Sequence, residues 1–107
     1  DEQLDNLYHR FDTAMRAIQY LLGKDAFRFP VKNENRRPIS LALFESLGYL
    51  FMIKETSACD EATLRKLLTE KIQQFEESGS FKYAVDSLTN VNYRFSAMEH
   101  LAKELAC

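Results

Sequence analysis

Residues 39–53, ISLALFESLGYLFMI, set the tightest limit on what this chain can become. At helical spacing, Ile39, Leu41, Leu43, Phe44, Leu47, Leu50, Phe51 and Ile53 cover most of a helix circumference. A helix that is apolar on nearly all sides has to be enclosed by others. Pro38 stands where a first helical residue is favoured, because it has no N–H to leave unpaired. The sequence therefore predicts a central helix over about residues 38–53.

The remaining segments supply its neighbours. Leu4, Leu7, Phe11, Met15, Ile18 and Leu22 recur at helical spacing, widened by Tyr8, Ala14 and Leu21, and Gly23 follows as a stop. Asp60 or Cys59 opens a third helix with Leu64, Leu67, Leu68, Ile72 and Phe75 on one face, and Lys66, Glu70, Lys71, Gln74 and Glu77 on the other. Ser78-Gly79-Ser80 ends it, and a shorter helix over Phe81 to Ser87 follows. Asn90 is a suitable N-cap for the last helix, whose stripe is Val91, Phe95, Met98, Leu101 and Leu105. Strand-like alternation is confined to a weak trace near residues 27–31. The expectation is an all-α fold, a bundle of four or five helices around the central one.

A chain of 107 residues, 46% hydrophobic, suits a single helical domain over residues 1–107. Only 3 Gly and 2 Pro imply few turns and long elements. A net charge of -2 creates no global attraction to nucleic acid. The opening DEQLDNLYHR is not a secretory leader, and with no start Met it suggests a fragment of a longer protein. Cys59 and Cys107 are far apart and read as reduced thiols of a cytoplasmic protein, a bond between them being the alternative. The longest apolar stretch is broken by Glu45, Ser46 and Gly48 and falls short of a membrane span.

Little catalytic chemistry is written in the chain. His9, His100, Cys59 and Cys107 have no spacing that puts two ligands on one helical face, so no metal site is expected. Cys59 sits beside Asp60 and Glu61, which oppose its thiolate. The three glycines are isolated, which excludes a phosphate loop. The aromatic residues lie mostly on apolar faces and read as core.

Two polar features stand out. Glu45 is a carboxylate inside the most hydrophobic helix, and an unpaired buried charge is costly. It is expected to form a structural ion pair with Arg94 or with an Arg of the connection before the helix, and Glu45→Gln to cost about 1–3 kcal/mol. Gly48, three residues on, would let another backbone approach. That connection, residues 24–37, holds Lys24, Arg28, Lys32, Arg36 and Arg37 against Asp25 and Glu34, a local balance of +3. Arg28, Lys32, Arg36 and Arg37 are candidates for binding phosphate or nucleic acid, and the plainer reading is a solvated loop with one Arg folded back onto Glu45.

Ala26-Phe27-Arg28, Arg37-Pro38-Ile39 and Ala42-Leu43-Phe44-Glu45, with Phe81, Val91 and Arg94 downstream, follow a family's linear order. The run resembles the late part of domain of unknown function 262, the ParB-like domain of GmrSD-type restriction proteins, over roughly Leu7 to Leu105. The resemblance implies a prokaryotic cytoplasmic protein acting in nucleotide-dependent DNA cleavage and phage defence. The family's Asp-Gly-Gln-Gln-Arg signature is absent here, so no catalytic residue carries over. The implied role is a non-catalytic accessory region. It would pack on an N-terminal α/β domain of the same polypeptide and reach DNA only through that parent, which would also hold any nucleotide cofactor. The alternatives are a free-standing helical module that binds a partner helix and, with least support, a small helical enzyme.

Overall fold

The computed structural model describes residues 2–29, 37–78, 86–105 and 107. The described residues hold four α-helices, one short 3-10 turn and no strand: α1 (Glu2–Leu22), the turn Gly23–Asp25, α2 (Leu41–Ile53), α3 (Glu61–Ser78) and α4 (Leu88–Glu104). The expected helix over Phe81 to Ser87 lies, up to residue 85, outside the described residues; Asp86 and Ser87 form a turn.

α2 is the centre. Leu43, Leu47 and Leu50 are wholly buried, and Ala42, Ser46, Gly48 and Phe51 are buried with them. The backbones of α1 and α4 make the closest approaches to α2. The helix starts later than Pro38. Ser40 is the N-cap, with extended backbone, and its hydroxyl accepts from the Leu43 N–H at 3.1 Å. Its own N–H donates to the Phe27 carbonyl at 2.8 Å. A side-chain cap satisfies an N–H that proline at N1 leaves open. Ile39 and Leu41, expected on the packed helix, are exposed.

α1 ends as expected, at Gly23 with φ +74, a left-handed conformation natural to glycine. Its stripe is buried only from Ala14 onward, with Ile18 and Leu21. Leu4, Leu7, Tyr8 and Phe11, expected in the core, are 41% to 65% exposed. The cause is length. α1 has 21 residues and α2 has 13, about 31 Å against about 20 Å. About two turns of α1 overhang α2, and from the third turn Arg10 and Phe11 reach Met52 and Phe44.

Gly48 admits no second backbone. A Cβ there would stand 3.3 Å from Met15 Cε, the far end of a flexible side chain. Gly48→Ala is expected to raise stability by about 0.5–1 kcal/mol, the helix-propensity gain, as Met15 turns aside. A lowered thermal midpoint would mean that Met15 has no room to move.

α3 is attached mostly by pegs. Leu64, Leu68, Ile72 and Phe75 face the core, and among the described helices only α1 draws near to its backbone. Arg65 Nε donates to the Leu21 carbonyl at 2.7 Å, Tyr20 donates to Glu61 at 3.1 Å, and Lys71 pairs with Glu104 at 3.4 Å. At its start Asp60 accepts from the Thr63 N–H and hydroxyl, which holds the Asp60 carboxyl below its ordinary range. α4 is capped by Ser87, three residues before the expected Asn90, whose N–H donates to the Ser87 hydroxyl.

The cysteines correct a further expectation. Cys59 and Cys107 are not free thiols: they form a disulfide, with Cα atoms 4.9 Å apart. The turn before α3 and a residue three positions beyond α4 meet in space although 48 positions separate them.

Candidate functional surfaces

Each singled-out polar residue has a definite place. Glu45 lies on the outer side of α2, with 57% of its side chain accessible, and pairs with Arg94 Nη2 of α4 at 3.6 Å. The buried partner is the arginine, at 3%. No loop arginine was brought to Glu45 among the described residues; the expected closure of the basic segment over α2 takes another route. Arg37 pairs with Glu76 of α3, a carboxylate only 6% exposed, and its guanidinium lies 5.6 Å above the Phe29 ring. Arg28 Nη1 donates to the Arg37 carbonyl. Arg28 and Arg37 thus tie the connection to itself and to α3. Lys32 and Arg36 lie outside the described residues.

The expected cost of Glu45→Gln stands although Glu45 itself is exposed. The substitution withdraws the charge matched to the buried Arg94, so it should lower stability by about 1–3 kcal/mol. An unchanged denaturation midpoint would show that Arg94 does not depend on Glu45.

Sequence reasoning missed Glu76 and the burial of Arg94. The signal was present. Position 76 is four residues beyond Ile72 on the stripe 64, 68, 72, and position 94 is four before Met98 on the stripe 98, 101, 105. Both charged residues occupy core-facing positions and are matched by a partner of opposite sign, as buried charges require.

Two further groups have shifted titration, both by local contacts. The Tyr49 hydroxyl donates to Glu99 at 2.7 Å, which raises its pKa, and Glu55 accepts from the Ser57 N–H at 2.9 Å, which lowers its own. The described residues hold no group of three or more His, Cys, Asp or Glu able to bind a metal. No helix among them is long and apolar enough to cross a membrane. Tyr8, Tyr20 and Tyr93, expected in the core, present their rings to solvent.

Two surface features remain. The first is the overhang of α1. Leu4, Leu7, Tyr8 and Phe11 form one apolar face there, and helical spacing puts Asp5 toward one edge of it. Phe11 continues the face to Phe44 of α2, with ring centroids 6.4 Å apart. The second is a cleft of about 550 Å³ between α1 and the end of α2. Ala14, Ala17 and Phe51 line it, and so do Arg10 and Lys54. Arg10 Nη2 donates to the Met52 carbonyl at 3.0 Å and Lys54 Nζ to the Cys107 carbonyl at 3.0 Å.

No family model, no curated protein and no solved structure matches the chain.

Proposed function

We propose that this chain is a non-catalytic helical interaction domain that receives an amphipathic helix of a partner protein on the first three turns of α1. The observation that carries this reading is the overhang, where Leu4, Leu7, Tyr8 and Phe11 lie exposed on one face. Contiguous exposed apolar patches of this kind mark interaction sites. A helix is recognised through anchors at i, i+3, i+4 and i+7, the spacing of 4, 7, 8 and 11. Asp5 toward the edge of the face favours a partner helix with Lys or Arg along the facing edge.

The accessory role in a ParB-like restriction protein receives less support. Arg28 and Arg37, which such a role would offer to DNA or nucleotide, are engaged with the Arg37 carbonyl and with Glu76. The disulfide suits an oxidising compartment better than a reducing cytoplasm.

The test is Leu7→Glu. The side chain is exposed, so the thermal midpoint should stay nearly constant. A partner identified by cross-linking in extracts of the native host should form a 1:1 complex with the chain when both are purified. Leu7→Glu should weaken that complex by about 30-fold or more, the loss of one central anchor. Failure to rebuild any complex from pure components, or a complex indifferent to Leu7→Glu, would remove the overhang as a docking face.

A further inference from the structure

We propose that the Cys59–Cys107 disulfide is a redox latch on residues 54–60, the strap that joins α2 to α3 and walls two hollows. The cleft of about 550 Å³ lies on one side of the strap, and a hollow of about 220 Å³ lined by Tyr20, Leu21 and Leu64 lies on the other. Thr56 and Ser57 of the strap line both, facing Ala17 of α1, which also lines both. The strap is therefore the partition between them.

Among the described residues, the partition is tied to distant chain at one point. The strap's own hydrogen bonds are short-range: the Ser57 N–H donates to Glu55, and the Cys59 N–H to the Thr56 carbonyl at 3.0 Å. Its ends bond to the adjoining helices, through the Lys54 N–H to Leu50 and through Asp60 to Thr63. Among the described residues, its polar and covalent ties to more distant chain both end at Cys107, one through Lys54 Nζ and one through Cys59. Cys107 is exposed, so a reductant reaches it. Such ties are few, and segments with few ties are drawn from the low-stability end of a fold.

The switching step is thiol–disulfide exchange with a dithiol. One thiolate of the dithiol attacks a sulfur of the pair, forming a mixed disulfide and releasing the other cysteine as thiolate. The second thiol of the dithiol then displaces the remaining cysteine. Two protein thiols and one oxidised dithiol result, with two electrons and two protons delivered to the protein. Released, the strap lifts from Ala17 and the two hollows merge into one opening onto Ala14, Phe51 and Leu64. The latch is independent of docking on the α1 overhang, which lies on other residues.

Amide hydrogen exchange on the full chain tests this, comparing the oxidised protein with the protein in dithiothreitol and with Cys59→Ser/Cys107→Ser. Ser57 and Cys59 amides should exchange faster by about tenfold or more in both latch-free forms, the factor that accompanies loss of one anchoring contact. The amides of Leu47 and Leu50, which open only with the whole fold, should accelerate as global stability falls and exchange more steeply with added urea, whereas the strap amides should exchange with little dependence on urea. Lys54→Met in the oxidised chain should leave the strap protected, since the covalent tie persists. An unchanged strap on reduction would overturn the proposal. So would strap exchange that rises with urea as steeply as that of α1, α2 and α4, which would make the bond a general staple. Release by Lys54→Met as large as that by reduction would also overturn it.

Discussion

Removing the Cys59–Cys107 bond should lower the stability of the folded chain by about 2–4 kcal/mol, one of the two largest effects expected of a local change. The bond spans 48 positions, and closing a loop of that size removes much of the freedom of the unfolded chain. The stabilisation acts mainly on the unfolded state, so the four helices should persist at 25 °C without it. For a domain of this length the thermal midpoint should fall by roughly 10–20 °C. Calorimetry of the oxidised protein against Cys107→Ser measures the shift directly. Coincident midpoints, with and without reductant, would mean that the two sulfurs are not joined in solution.

Leu47→Ala should be as costly, about 2–5 kcal/mol, because the deletion leaves a cavity in the middle of α2 with α1 and α4 on either side. The informative comparison is Leu41→Ala on the same helix. Leu41 is 76% exposed, and its truncation should stay within about 0.5 kcal/mol. The two substitutions share chemistry and helix and differ only in what surrounds them. Urea denaturation of both variants separates packing from propensity, since any intrinsic helix effect of Leu→Ala is common to the pair. Equal losses at 41 and 47 would contradict the central placement of α2.

The all-round apolarity of residues 41–53 announced the middle of the bundle because no other arrangement hides Leu43, Leu47 and Leu50 together. The stripe of α1 was equally visible, yet its first half is bare. Periodicity reports which side of a helix is apolar, and says nothing of how far a neighbour extends along it. Pro38 and Asn90 were reasonable helix starts that lost to Ser40 and Ser87, whose hydroxyls each accept an N–H three residues ahead. Glu76 and Arg94 were hidden by their charge, although their positions continue the buried rows. The meeting of Cys59 with Cys107 has no local sign at all, because it depends on where α4 ends relative to the start of α3.

Of the candidate residues, Glu45 was recognised as paired, but the depth was assigned to the wrong member: Arg94 is inside and Glu45 outside. The basic run before α2 drew attention as an anion site because charge density is legible in a sequence and direction is not. Arg37 turns inward to Glu76 and Phe29.

The way α3 is fastened shapes how this chain can drift over evolutionary time. A helix glued along its whole length resists change at many positions at once. One held by Arg65 at Leu21, by Glu76 at Arg37 and by the cystine just ahead of it concentrates its restraints in a few linked positions. The outward row of Lys66, Glu70 and Gln74 is free to be rewritten, whereas residues 59 and 107, and 37 and 76, have to change as couples. Descent in such a lineage would be traced through paired substitutions long after overall identity had faded.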